Sequence, residues 1–307
     1  MKILVTGGAG FIGSHLVDAL LGASHQVVVL DSLDPQVHPS GDWPAYLNRE
    51  AERIHGDVRD ESAVRAAIAG VDAVYHFAAL VGVGQSMYEI RRYVEANNVG
   101  TAVVLEAAVA ARDRLRKLVV ASSMSLYGEG RYHDAAGNPI APSPRPDEQL
   151  RRHDWSVYGP DGQPATPVPT DEGKLPQPTS VYAVSKRDQE ELFLSVGQAY
   201  DIPTVALRFF NVYGPRQALS NPYTGVAAIF SSRLIAGRPP VVYEDGEQTR
   251  DFIHVSDIVQ ANLLALERSG ADGMVLNVGT GRPIAIRQVA ETLAGALGRP
   301  IAPEITG

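Results

Sequence analysis

Residues 2–21 read KILVTGGAGFIGSHLVDALL, and the succession of residue types along them decides the fold. Ile3, Leu4 and Val5 make a short apolar strand, and TGGAGFIG then opens a segment whose apolar positions Leu16, Val17, Leu20 and Leu21 suit the buried face of a helix. Gly7, Gly10 and Gly13 form a GxxGxxG pattern between the two. The first glycine permits a tight turn, the second lets backbone approach a pyrophosphate, and the third lets helix pack on strand. Peptide N–H groups near Phe11 and Ile12, at the helix start, then face the negative charge. Glycines alone mark any loop, but between a strand and a helix they point to a dinucleotide site.

Outward from this stretch, a second strand at Gln26–Leu30 ends in Asp31, 18 positions after Gly13. That spacing suits the carboxylate that binds an adenosine ribose. Asp31 accepts from both ribose hydroxyls and repels a 2′-phosphate, and no arginine follows in residues 32–37, so NAD is expected over NADP. The plainer alternative is an aspartate closing a turn. Further strands end near Asp57, in AVYHFAAL and in KLVVASS, with helical patterns at 62–68 and 96–112 between them. Strands alternating with helices imply a doubly wound parallel sheet, with its ligand beyond the carboxyl ends of the strands. Asp57, Ala79 and Ser122 lie at such ends. The fold class expected is α/β: a Rossmann-like sheet with a smaller C-terminal α/β lobe.

Residues 130–177 change character, being rich in proline and glycine and poor in apolar periodicity; a run of this length suggests a lid, a binding loop or disorder. His133 and His153 lie there without a ligand spacing for a metal, and none is expected. Order resumes with a helix from Ser180 and the strand TVALRFF, which ends before Asn211. Helices are expected near 226–236, 258–268 and 286–297, with strands at 240–243 and around Val275. The division expected is 1–180 for the dinucleotide-binding part, with the insertion at 130–177. Residues 181–307 then carry the catalytic helix, the last sheet strands and the smaller lobe.

Composition narrows the functional classes. The 307 residues are 45% hydrophobic and 20% charged, as in ordinary soluble proteins, and the formal net charge of −8 gives nucleic acid no general attraction. Cysteine is absent, which removes disulfides and thiolate sites, and no apolar run approaches the roughly 20 residues of a membrane span. With no leader-like N-terminus, the cytoplasm is the expected compartment.

Tyr182 and Lys186 stand four apart, on one face of the same helix. A phenol with an ordinary pKa of about 10 is a poor base at neutral pH. A lysine ammonium one turn away, together with a cationic nicotinamide ring, favours the phenolate. ASSMSLYG supplies Ser122, Ser123 and Ser125 to orient a reacting sugar oxygen. The plainer alternative is a packed tyrosine beside a surface lysine, and the glycine turn, Asp31 and the serine-bearing strand end weigh against it.

With these residues in place, the chain resembles the extended short-chain dehydrogenases/reductases, specifically their nucleotide-sugar epimerases and dehydratases. TGGAGFIGSHL, GDVRD, HFAA, NNVGT, ASSMSLYG, YAVSK, RFFNVYGPR and RDFIHVSD carry the resemblance over nearly the whole chain. It implies NAD held by Gly7, Gly10, Phe11, Ile12, Gly13, Asp31, Asp57, Val58, Phe77, Ala78, Ala79, Asn97, Ser122, Tyr182 and Lys186. It places the catalytic hydroxyl at Ser123, beside Tyr182 and Lys186. It implies that Asn211 and Arg250 meet the sugar diphosphate and that Tyr243 lies beside the nucleotide base; for Arg250 the plainer alternative is an ion pair with Asp251. Relatives pair as homodimers through two helices of the larger domain.

Relatives that dehydrate carry an acidic pair after the serine or threonine, and decarboxylating ones tend to carry a glutamate; here Met124 and Ser125 stand in that place. The expected reaction is therefore 4-epimerisation of a dTDP- or UDP-linked sugar through a 4-keto intermediate. DPQVH, VGVGQSMYEI, SKRDQEEL and RQALSNPYTGVAAIFSSRL are most similar to a bacterial subgroup acting on dTDP-L-rhamnose. Two departures stand out. The insertion lacks the paired cysteines some relatives carry, and relatives continue past a stretch like PEITG to a second phosphate-binding arginine, whereas this sequence stops at Gly307. The competing readings are a dehydrogenase or reductase that releases its cofactor, and a dinucleotide-sensing regulator.

Overall fold

The computed structural model describes residues 1–218 and 225–307. The RQALSNPYTGVAAIFSSRL similarity therefore lies in part, at residues 219–224, outside the described residues. Seven strands form the central sheet: β1 (Lys2–Thr6), β2 (Gln26–Asp31), β3 (Glu52–His55), β4 (Ala73–His76), β5 (Lys117–Ser123), β6 (Thr204–Phe209) and β7 (Val275–Val278). Their order is β7-β6-β5-β4-β1-β2-β3 and every pairing is parallel. Val5 of β1 is set against Val29 of β2 on one side and Tyr75 of β4 on the other. The chain leaves β3 at one edge and returns to the far side of β1 through β4, so β1 and β4 flank the point where the winding reverses. A crevice opens there beyond the strand ends.

Alternation along the strands divides the core between two faces. Ile3, Val5, Val27, Val29, Tyr75 and Val119 point to one face, against α1 (Phe11–Gly22) and a helix at Val255–Glu267. Leu4, Val28, Leu30, Val74, Leu118 and Val120 point to the other. There they meet α2 (Glu61–Ile68), α3 (Gly100–Ala110) and α4 (Val181–Ala199). We number the helix at Val255–Glu267 α5. Caps fix two helix starts: Asp60 accepts from the Ser62 and Ala63 amides before α2, and Ser180 accepts from the Ala183 amide before α4.

Two sequence expectations change. The helix expected at 96–112 is split, with a π-helical turn at Val94–Val99 leading into α3. The insertion is folded: Arg131–His133 pairs antiparallel with Pro139–Ile140 and with Thr166–Val168. Strands of two and three residues are too short to show alternation. Arg131 pairs with Asp171 at 2.5 Å within the insertion, which is anchored by Arg145 on Glu244 at 3.0 Å and by the buried Lys174 ammonium, which donates to the Tyr127 carbonyl at 2.8 Å. Beyond β6, Asn211–Tyr213, Thr249–His254 and Pro283–Ala285 form a small mixed sheet. Phe230, Val242, Ile286, Val289 and Ala290 form a separate apolar cluster behind it.

Candidate active site

A cavity of about 570 Å³ fills the crevice. Gly7, Gly10, Phe11, Ile12 and Gly13 form its floor, Asp31, Asp57 and Val58 one end, and Phe77, Ala78 and Ala79 a wall. Ser122, Ser123, Tyr182, Lys186 and Asn211 line it as well. Residues from both halves of the chain thus meet in one space.

The glycines are needed for backbone contact. Gly7 has φ of +70°, and a Cβ there would come within 2.7 Å of the Ala78 nitrogen. A Cβ on Gly13 would sit 2.3 Å from the Gly7 carbonyl oxygen, so α1 can approach the turn only with hydrogen at that position. No side chain caps α1 at Gly10, and the first-turn amides of a helix have no intrahelical acceptor, so the N–H groups of Phe11 and Ile12 serve the cavity. Asp31 is fixed by accepting from the Ala9 amide and the Leu33 amide, each at 2.9 Å. Asp57 pairs with Arg59 at 2.6 Å, and that hydrogen-bonded guanidinium holds its carboxyl below the usual range.

At the opposite end, α4 carries the tyrosine and lysine. The Tyr182 amide donates to Ser86 Oγ at 3.0 Å, its ring meets Tyr93 edge-on, and its phenol lies near Ser123. Ser123 Oγ also accepts from the amide and hydroxyl of Ser125. Burial pushes the Tyr182 phenol above its ordinary value, with Ser123 pulling the other way. The buried Lys186 ammonium donates to Gln189 Oε1 at 2.7 Å, and burial lowers it to about 7 against the opposing pull of Glu190. Removal from water is the larger effect on the phenol in this pocket.

Four residues expected to meet ligand have other partners or positions in this structure. Asn97 is buried behind the wall, where its amide accepts from the Leu80 N–H and donates to the Leu80 carbonyl and to Ser185 Oγ; it shapes the cavity through Leu80 without lining it. Ser122 lines the cavity, but its hydroxyl donates to Glu190 Oε2 at 2.6 Å. Tyr243 is 70% exposed and Arg250 donates to the Thr249 carbonyl, both outside the cavity lining. Nor does Arg250 pair with Asp251, which accepts from Thr280 and Gly281 instead. Both residues sit in a region whose docking depends on short strands far apart in sequence.

Several residues passed over in the sequence matter here. Arg216 lines the cavity at φ +67°, pairs with Asp18 at 2.7 Å, lies over the Tyr46 ring, and keeps Nη1 buried without a hydrogen-bond partner. It ends the quoted RFFNVYGPR, so its motif was in view though its role was not. The buried Glu190–Arg208 pair ties α4 to β6, and Arg208 donates on to the Tyr127 hydroxyl at 2.6 Å. Gln189 and Glu190 follow Lys186 by three and four positions, the helical spacing that brings them to its side. Among the described residues, no group of His, Asp or Glu side chains is placed to hold a metal ion, and no helix is long and apolar enough to cross a membrane.

A doubly wound parallel sheet, a glycine-turn cavity and a Tyr-x-x-x-Lys helix together define an extended short-chain dehydrogenase/reductase. The model of the NAD dependent epimerase/dehydratase family matches residues 3–145 and 155–279, and the chain belongs to that family. It is 35% identical over 308 residues to a dTDP-L-rhamnose 4-epimerase from Burkholderia thailandensis, covering 100% of this chain and 84% of the relative. The structure of a Thermotoga maritima UDP-glucose 4-epimerase with UDP-glucose superimposes with a TM-score of 0.81 at 32% identity, over 100% of this chain and 85% of that one. A Thermus thermophilus UDP-glucose 4-epimerase in complex with NAD gives 0.77 at 32% identity, over 100% and 86%.

Proposed function

We propose that the protein is an NAD-dependent 4-epimerase of a dTDP-linked 6-deoxyhexose such as dTDP-L-rhamnose. The observation that carries the reading is the convergence of Ser123, Tyr182 and Lys186 on the cavity floored by the glycine turn. Met124 and Ser125 lie beside them, where an elimination would need carboxylates.

The residues present fit the cofactor. Gly7 and Gly13 let the turn and α1 pack backbone on backbone, Gly10 lines the cavity without a side chain, the start of α1 offers unpaired amides, and Asp31 offers an anion to a ribose at the far end. When bound, NAD supplies the hydride acceptor for carbon 4 and the donor that returns the hydride. As the phenolate, Tyr182 Oη takes the proton from the sugar 4-hydroxyl, and the resulting phenol gives it back after the 4-keto sugar has turned over. Ser123 Oγ, near that phenol, steers the reacting oxygen. Lys186, one helical turn away, adds positive charge as the phenol ionises. Asn211 and the free N–H of Arg216 give the diphosphates a polar partner, since guanidinium suits phosphate.

The sugar and base rest on the similarity to the Burkholderia enzyme and on residues 34–38, 81–90 and 185–192. The solved UDP-glucose 4-epimerases, at 32% identity, favour a UDP-sugar as the second reading. Proton NMR of the purified protein with dTDP-L-rhamnose, UDP-glucose and UDP-glucuronate separates them. Epimerisation changes the coupling of the fourth sugar proton with no cofactor added and no net reduced nicotinamide. Were every sugar returned unchanged with NAD bound, the epimerase reading would fail.

We also propose a homodimer through α4 and the segment before α3. Met87, Ile90, Val94 and Val184 form an apolar strip there, with exposures of 54%, 52%, 41% and 43%.

A further inference from the structure

Among the described residues Lys186 has one hydrogen-bond partner, and that partner is itself held by a chain of fully buried groups. Gln189 Oε1 accepts from Lys186 Nζ at 2.7 Å. Its amide nitrogen lies 2.8 Å from Thr101 Oγ1 and 3.2 Å from the Asn97 carbonyl oxygen. An amide's oxygen and nitrogen are assigned from such surroundings, and here they leave one choice.

The Thr101 hydroxyl donates to the Asn97 carbonyl at 2.5 Å, so its oxygen can only accept from other groups. His76 Nε2 stands 3.0 Å from that oxygen and must donate to it. His76 Nδ1 then accepts from the Thr6 hydroxyl at 2.9 Å, and Thr6 Oγ1 accepts in turn from the Ala78 amide. Burial and the nearby Lys186 charge lower His76 to about 3, which keeps the ring neutral and consistent with this single-tautomer order. Gln189 Nε2 and His76 Nε2, 3.2 Å apart, are two donors converging on one threonine oxygen. The NH₂ end of Gln189 therefore faces two acceptors, and its carbonyl end faces the ammonium. Reversed, the amide would set donors against donors in a place that water does not reach.

We propose that Gln189 is the positioning residue of the catalytic lysine, an amide locked in one orientation so that its oxygen always holds the Lys186 ammonium. The proposal rests on the reading of Lys186 as part of the catalytic set. The charged and titratable groups around Lys186 are few. Tyr182 and Glu190 come from its own helix, and Glu190 is neutralised by Arg208 from β6. His76 comes from β4; Asn97 and Thr101, from the π turn and α3, do not ionise. Among the described residues, none of these other groups accepts a hydrogen bond from Lys186 Nζ.

The chain has only four lysines, Lys2, Lys117, Lys174 and Lys186, so lysine-selective ¹³C,¹⁵N labelling gives four side-chain signals. Lys186 is assigned by its loss in Lys186→Arg. In Gln189→Leu the Lys186 titration midpoint should fall by about one pH unit, because a hydrogen bond to the charged form is lost. In Gln189→Glu it should rise by at least as much. The alkaline limb of the kcat/KM profile, where the ammonium is lost, should follow both shifts with the dTDP-sugar as substrate. Thr101→Val leaves Gln189 in place but removes the acceptor that orients it, and should move the midpoint the same way as Gln189→Leu. An unmoved midpoint in both Gln189→Leu and Thr101→Val overturns the proposal. If the wild type turns over no nucleotide sugar, the functional reading fails while the midpoint shifts still report on Gln189.

Discussion

Tyr182 and Lys186 are both taken out of water, and burial moves them in opposite directions: the phenol up and the ammonium down to about 7. Each shift favours the uncharged form, so the charge on the pair is set by what surrounds it. Tyr182→Phe removes the proton acceptor and little volume. Turnover should drop by about 10²–10⁴-fold, the usual range for a general acid–base, while NAD copurifies as before. Wild-type rates in that variant would remove Tyr182 from the mechanism. Lys186 also makes a prediction about folding. The unfolded chain, whose lysines titrate near 10.5, binds more protons than the folded one from about pH 7 upward. Stability therefore rises with pH across that window, by about 2 kcal/mol between pH 7 and 9 from this group. Urea unfolding at the two pH values should show the rise in wild type and lose it in Lys186→Met. This residue pair was legible from its spacing and neighbours, whereas its electrostatic state was not, because desolvation depends on packing by Tyr93, Ser86 and Gln189, distant or unremarked in sequence.

Helix α1 shows how one position governs an element. A methyl group on Gly13 meets the Gly7 carbonyl at 2.3 Å, backbone against backbone with nothing free to yield, whereas one on Gly22 meets nothing within 4 Å. Gly13→Ala should lower stability by about 1–3 kcal/mol, the cost of overpacking, and abolish NAD retention. Gly22→Ala should be neutral or stabilise by less than about 1 kcal/mol. Thermal unfolding of the two proteins, with NAD measured after denaturation, checks both. The elements readable from sequence were those whose apolar pattern runs long enough to repeat, such as α1, β2, β5 and α4. The π turn at Val94–Val99 escaped because a one-residue widening of the helix leaves its apolar spacing nearly intact. The insertion's strands escaped because their order comes from Arg131, Arg145 and Lys174 reaching partners outside them.

For the whole molecule, the apolar strip of Met87, Ile90, Val94 and Val184 leads to a test of assembly. Light scattering at micromolar concentration should give twice the chain mass for wild type and the single mass for Val94→Glu combined with Met87→Glu, with unchanged circular dichroism. A monomeric wild type would remove the dimer. The convergence of both chain halves on one cavity was legible because strand ends can be counted from the alternation of elements. The surroundings of Tyr243 and Arg250, outside the cavity lining, were not legible, because they depend on how small sheets dock, which no local pattern records.

The Lys174 ammonium clasps Tyr127, 47 positions earlier, and so draws the two ends of the intervening chain together at the rim of the sheet. Everything between, including the tips near residues 135–165, hangs from a closed ring. Because the entropic cost of a longer loop grows only logarithmically with its length, this appendage can be trimmed or extended with the serine-bearing strand end held still. Such a fold can vary what it displays at its periphery without retuning its chemistry.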